Sequence, residues 1–418
     1  MKNLYVIAWA AGSFLAAHSA AAQDFLIRGA TVHTASPRGT LKNTDVLVRG
    51  GIIVAVGSEP GASNATVVEA RGKELTPGLF GGLTGIGLDE IAEEPQTLDS
   101  AVNFKSPEWD QQWRPELDVA LAYNPRSFVV PITRIEGVTW TVLIPSATDS
   151  IIGGQGSAVT LDGRYEAVLP GSQSLFVQMG SAGAKAAGGT RAAEYMLLEQ
   201  AIHEARAAGP ANQRTLLHAA GRAALTRYLT GGRVVFQVDR AADILKVVSF
   251  AKRHGMTPII LGGDEAWVVA KELAGANVPV ILDPLNDLPA DFDRLGATLE
   301  NAARLQRAGV RIVFSSGDTP QARLVRQLAG NAVAHGLPWE AALAAITSTP
   351  ADIFGLGASH GRIAVGQTAD LVLWSGDPLE VSTLADQVWI AGRAVDMKSR
   401  QTELRDRYVE KVKAHQAR

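Results

Sequence analysis

The side chains in this chain that can hold a proton, a cation or a polar ligand stand at the ends of apolar runs. Asp239 closes RVVFQVD, with Gln237 two residues before it. Asp264 and Glu265 follow TPIILGG, Asp283 closes VPVILD, Asp318 closes VRIVFSSGD, and Asp89 and Glu90 follow GLFGGLTGIGL. Three chemistries fit such a set. Oxygen donors suit a hard divalent cation such as Mg²⁺ or Ca²⁺, or a weakly held Zn²⁺. Two carboxylates can also work without metal, one as acid and one as base or nucleophile. The third is ligand binding without turnover. A structural role competes at several positions. Asp239 and Asp264 come just before helical stretches, where a carboxylate complements the helix dipole, and Asp283 precedes Pro284 in a turn-like pair.

Other chemistries are excluded. There is no cysteine, so thiol nucleophiles, thiolate metal sites and redox switching are absent. The 39 basic and 42 acidic residues leave a net charge of -3, and no Lys/Arg run marks a nucleic-acid surface. GSAGAKAAGGTR, residues 180–191, is rich in glycine, but its spacing does not match a phosphate-binding GxxxxGK[ST] loop. Lys185 and Arg191 border that stretch, where Arg191 can meet an anionic group of a substrate. Trp109 and Trp113, four residues apart, can cover a site as an aromatic lid or pack onto its rim.

The elements that position these residues follow from periodicity. Strands are expected at 78–83, 138–145, 167–170, 174–180, 233–239, 257–263, 278–284 and 310–318. Between them lie helical stretches such as 241–254, 264–276 and 298–308, with apolar residues at three- and four-residue spacing. The strands are apolar on both faces, as parallel strands covered by helices must be. That alternation is the pattern of an α/β (β/α)8 TIM barrel, which gathers strand-end residues at one mouth. Residues 88–137 form a long excursion of the kind that makes lids and binding loops. Both chain ends read differently. Residues 24–75 and the stretch from 361 to about 397 are short alternating strands broken by glycines, which suggests a small composite β-sandwich built from both ends.

MKNLYVIAWAAGSFLAAHSAAAQ opens the chain with one cation, an apolar run and Ala20 and Ala22 placed for cleavage before Gln23. This reads as a secretory signal peptide, with an uncleaved membrane anchor as the alternative, so the mature protein is expected in the periplasm or outside the cell. The organisation is then a leader at 1–22, sandwich strands at 23–75, the barrel at 76–356, the remaining sandwich strands at 357–398 and a helical tail at 399–418.

Several stretches in this order resemble the amidohydrolase superfamily, close to its imidazolonepropionase-like branch. They are TPGLFGGLTGIG, EGVTWTVLIP, NAARLQRAGVRIVFSSGD, NAVAHGLPWEAALAAITSTPADIFGL and GRIAVGQTADLVLWSGDPL. The resemblance implies hydrolysis of carbon–nitrogen bonds other than peptide bonds, in a small cyclic amide or peptide-like molecule, at a metal centre on the barrel strand ends. The family's first strand reads P-G-L-I-D-x-H-x-H. Here Pro77, Gly78 and Leu79 match, but Gly81 takes the aspartate position and Leu83 and Gly85 take those of the histidines. SLFVQMG lacks the strand-four lysine, Gln237 stands where strand five often ends in histidine, and ILGGDE lacks the strand-six histidine. Of the inherited metal ligands only Asp318 is retained. None of the histidines beyond the leader (His33, His203, His218, His254, His335, His360 and His415) falls at the end of an expected barrel strand.

The expectation is an exported amidohydrolase-like protein with a degenerate or altered metal centre, holding no ordinary binuclear zinc site and at most a weakly bound divalent metal. Asp318, Asp283 and Gln237 are the candidate catalytic residues. Asp239, Glu265, Trp109, Trp113 and Arg191 are the candidate substrate contacts. The partner is a small molecule, with no nucleic acid and no membrane after leader removal, and a homo-oligomer remains open. The alternative is a non-catalytic periplasmic binding protein on the same barrel.

Overall fold

The structure is a computed structural model that describes residues 23–416, apart from 59–60, 62–63, 92–93, 102–112, 148–149, 208, 210, 212–214 and 318. The expected leader, residues 1–22, lies outside the described residues. The first strands are β1 (Phe25–His33), β2 (Thr40–Arg49), β3 (Ile52–Gly57), β4 (Thr66–Glu69) and β5 (Glu74–Pro77). Next come β6 (Leu79–Thr84), β7 (Val138–Leu143), β8 (Ile152–Gly156), β9 (Ala158–Thr160) and β10 (Ser174–Gln178). The rest are β11 (Arg233–Val238), β12 (Thr257–Gly262), β13 (Val280–Leu282), β14 (Ile312–Phe314), β15 (Leu371–Trp374), β16 (Ala385–Ile390) and β17 (Arg393–Ala394).

Both chain ends enter one sheet. Its order is β17-β16-β15-β5-β1-β2-β3, with β4 on β1, so β5 pairs with β15 across almost the whole chain. The join is buried, and Trp374 Nε1 donates to Thr76 Oγ1 at 2.8 Å. Phe25 stacks on Trp389, with ring centroids 5.3 Å apart, inside an apolar cluster that also holds Ile27, Val46, Ile53 and Leu371. The hydrogen bonding is that of one continuous eight-stranded sheet, where the sequence pattern suggested a sandwich.

The middle is barrel-like. Strands β10 to β14 run parallel in the order β10-β11-β12-β13-β14, and β6 runs parallel to β7. Their apolarity on both faces follows from their cover, with helices such as Ala241–His254 outside and an interior layer of Phe80, Trp140, Phe176, Val235, Ile259, Ile281 and Val313 inside. That helix shows how locally the sequence sets its limits. Asp243 sits in the first turn and Lys252, Arg253 and His254 in the last, each favourable to the dipole. It ends at Gly255, whose φ of 77° closes the carbonyl end in the left-handed conformation.

The third stave departs from the expected alternation. Residues 167–170 make no barrel strand; Val168 only bridges Val159. Instead β8 and β9 fill the place, β9 antiparallel to β7 and β8 antiparallel to β10. The reason is connection length. Only residues 144–151 join β7 to β8, and a parallel return needs a crossover of about a dozen residues or more. Among the described residues no helix lies between β7 and β10. The 88–137 excursion packs there, with Leu88, Val119, Leu143, Val159 and Ala167 in one apolar cluster. Leu117 O accepts from Gln155 N at 2.7 Å, tying the excursion to β8. Among the described residues β6 and β14 share no backbone ladder, but Leu83 N donates to Ser315 Oγ at 2.9 Å across that seam. Gly82, at φ 87°, permits the approach, since a Cβ there would lie 2.7 Å from Ser315 Oγ.

Candidate functional site

The strand ends β10 to β14 open on a cavity of about 380 Å³. Gln178, Gln237, Asp239, Asp283, Asn286 and Arg294 supply its polar lining, with Ser315 and Ser316. Phe176, Val235, Leu261, Ile281 and Leu282 supply apolar walls. Of the residues singled out in the sequence, the fold brings Gln237, Asp239 and Asp283 together. Gln237 is on β11 and Asp239 is the residue just past its end, and both line the cavity. Gly262 on β12 leaves room for the carboxylate; a Cβ there would lie 2.3 Å from Asp239 Oδ1.

Arg294 organises the acids. Its Nε lies 3.4 Å from Asp239 Oδ2, 3.5 Å from Asp264 Oδ2 and 3.4 Å from Asp291 Oδ2, and it makes an aligned hydrogen bond to none of them. One cation at ion-pair range from three carboxylates cannot neutralise them all. Burial and the neighbouring Asp264 raise the Asp239 carboxyl from 3.8 to about 6, against the opposing pull of Arg294. Burial also raises Asp264, opposed by the Asn286 amide, which donates to Oδ1 at 3.2 Å, and by Arg294. Burial raises Asp283, opposed by the Leu285 N–H, which donates to Oδ1 at 2.9 Å. Three carboxyls at one mouth are thus held closer to neutrality than free aspartate.

The other expected site residues do structural work. Glu265 accepts Ala241 N–H with one oxygen and Gly296 N–H with the other, both at 3.0 Å. It fills the helix-start role expected of Asp239 and fastens the loop that carries Arg294. Arg191 is a clamp rather than an anion contact. Its Nε donates to Asp243 Oδ2 at 2.9 Å and its Nη2 to Ser181 Oγ at 2.9 Å, while Nη2 also pairs with Asp293. The 180–191 stretch is correspondingly ordered, with a helix at Gly180–Ala186 before the one at Arg191–Arg206. Trp113 is buried in the main core, its N–H donating to Leu216 O at 2.8 Å, so it packs the excursion and does not line the cavity. Asp89 accepts Ser100 N–H at 3.2 Å and Glu90 accepts the Ser127 hydroxyl at 2.9 Å. Both bind the excursion to itself. Trp109 and Asp318 lie outside the described residues.

Gln178 and Asn286 escaped the sequence reading, as did Arg294. Gln178 was findable, since it ends SLFVQ on the rule that flagged Gln237; Arg294 sits in an irregular loop with no periodicity to mark it.

The places of the missing histidines are occupied by other groups. Leu83 is fully buried in the interior layer with Phe80, Trp140 and Val142. Gly85 donates its N–H to Thr319 Oγ1 at 2.8 Å, and a Cβ there would lie 2.4 Å from Asp89 Oδ2. Among the described residues no three His, Asp or Glu side chains gather closely enough to hold an ion. These residues do not fit a paired-metal centre, which needs several nitrogen or charged-oxygen donors in fixed geometry.

Residues 127–399 match the model of the amidohydrolase family, and the chain belongs to that family of hydrolases. It is 27% identical to the imidazolonepropionase of Chromobacterium violaceum over 382 residues, which span 81% of this chain and 87% of that protein. A shorter match of 60 residues, 50% identical, to the amidohydrolase tasK of Hapsidospora irregularis spans 14% of this chain and 6% of that protein. Among solved structures, an amidohydrolase from Thermotoga maritima MSB8 superposes with a TM-score of 0.77 at 24% identity, over 90% of this chain and 100% of that one. A prolidase complexed with N-methylphosphonate-L-proline gives 0.55 at 17% identity, over 90% and 100%. The fold is accordingly a TIM-barrel-like α/β structure with an additional domain.

Proposed function

We propose that this protein is an exported hydrolase of carbon–nitrogen bonds other than peptide bonds, acting on a small amide with carboxylates rather than a paired metal. One observation carries the reading. Three positions that the resemblance assigns to the family's metal centre hold Leu83, Gly85 and Gln237, yet the same mouth keeps an open cavity in which burial pushes Asp239 up to about 6. A carboxyl with that pKa is mostly ionised at neutral pH and still a usable acid, which is the balance general acid–base catalysis requires. In the proposed step Asp239 takes a proton from water as its oxygen adds to the amide carbonyl. The same carboxyl returns that proton to the departing nitrogen. Asp283, across the cavity, supplies the second carboxyl.

The leader in residues 1–22 supports export to the periplasm or beyond. The eight staves, with β8 and β9 counted as one, support a single closed barrel carrying the composite terminal domain. A receptor that binds without turnover is the second reading, favoured by one feature: Arg294 already stands at ion-pair range from the would-be base.

The test is hydrolysis of a panel of lactams, cyclic ureides and N-acyl amides by the mature protein, with and without a chelator, alongside its metal content. Turnover that resists chelation and is lost in Asp239→Asn supports the proposal. Stoichiometric, chelator-sensitive zinc overturns it. Ligand binding with no turnover of any amide selects the receptor.

A further inference from the structure

We infer that Gln178 and Gln237 form a carboxamide pair that reads the edge of a cis amide, so the ligand presents an N–H and a C=O side by side, as a lactam or cyclic ureide does. This rests on the reading of the cavity as the ligand site.

The two glutamines are registered partners on the parallel strands β10 and β11. Adjacent strands lie about 4.8 Å apart, so the side chains leave the sheet as neighbours. Both line the cavity, Gln237 exposed into it and Gln178 half-buried. Neither carboxamide has a hydrogen-bond partner among the described residues. The same register continues through Leu261 and Ile281. The layer is therefore polar but uncharged on one side and apolar on the other, a shape suited to a flat ring with one polar edge.

The chemistry of the pair narrows what that edge is. A primary carboxamide offers one acceptor oxygen and two donor hydrogens and carries no charge. It matches an edge that holds a donor and an acceptor together better than a lone carboxylate or ammonium. A linear secondary amide is trans, which places its N–H and C=O on opposite sides. Among secondary amides a ring is what holds them on the same side. The carboxamides would thus separate cyclic from linear secondary amides before any bond is broken, and Asp239, just past the end of β11, lines the same cavity as Gln237.

A ligand-observed NMR titration of the full mature chain tests this with four probes: 2-pyrrolidinone, N-methyl-2-pyrrolidinone, cyclopentanone and N-methylacetamide. Wild type is expected to bind 2-pyrrolidinone about tenfold or more tighter than the other three, because a site built for hydrogen bonds rejects analogues that lack them. Gln178→Met and Gln237→Met keep side-chain length and should each erase that preference, bringing 2-pyrrolidinone down to the affinity of cyclopentanone. Equal binding of the linear amide, or a preference that persists in both variants, overturns the inference and leaves the cavity reading intact. A lactam preference in a protein that hydrolyses no amide keeps this inference and removes the catalytic reading. Failure of all four probes to bind removes both.

Discussion

Replacing Asp239 by asparagine isolates the strained electrostatics of the cavity. The side chain is 14% exposed and its carboxyl rises from 3.8 to about 6. One pKa unit corresponds to about 1.4 kcal/mol, so keeping this carboxylate ionised in the folded protein costs about 3 kcal/mol. The attraction of Arg294 is already contained in the shift. The sign follows from proton binding. Between about pH 4 and 6 the folded protein holds a proton that the unfolded chain has released. Wild-type stability therefore falls as pH rises through that window, and the loss is complete above it. Asparagine has nearly the same shape and no proton to lose. Urea denaturation of wild type and Asp239→Asn at pH 4, 5, 6 and 7 should show a difference near zero at pH 4. It should grow to about 3 kcal/mol in favour of the variant at pH 7. Titrating groups remote from Asp239 cancel in the comparison, while the neighbouring Asp264 is relieved of its repulsion in the variant. A constant difference across the window would refute the argument, because it would mean that Asp239 titrates as a free carboxyl.

Leu83→His should not restore a metal centre. It places an imidazole in an apolar interior without a partner and should destabilise the fold by about 2–4 kcal/mol, read by urea denaturation; an unchanged midpoint would show that the interior is open at that point. Arg191→Ala takes the guanidinium from buried Asp293 and leaves buried Asp243 paired with Arg240, and should cost about 2–3 kcal/mol while leaving ligand affinity at the cavity within twofold. A loss of affinity at unchanged stability would return Arg191 to the binding site. Intact-mass measurement on the native protein should find a chain beginning near Gln23, and a retained Met1 would contradict export.

Much of the architecture is written locally. The core-facing runs, the helix Ala241–His254 with its charges and terminal glycine, and the strand–helix order from β10 to β14 depend on period and composition, which need no knowledge of distant residues. That Leu83 and Gly85 offer no side-chain donor to a metal is equally legible, since no packing gives them one. What the tertiary structure decided is which groups meet. Glu265 and Asp239 are both acids at strand ends, yet one caps a helix and the other faces the cavity, because only the closed fold fixes which N–H groups lie within reach. Arg191 and Arg294 differ in the same way: one is consumed by a structural clamp, the other shared among cavity carboxylates. Trp113 became core because the fold brings it against Leu216 and Leu217, about a hundred residues further along the chain. The pairing of Gln178 with Gln237 is a register between strands 59 residues apart along the chain. Hydrogen bonds between strands set that register, and the sequence of neither strand contains it.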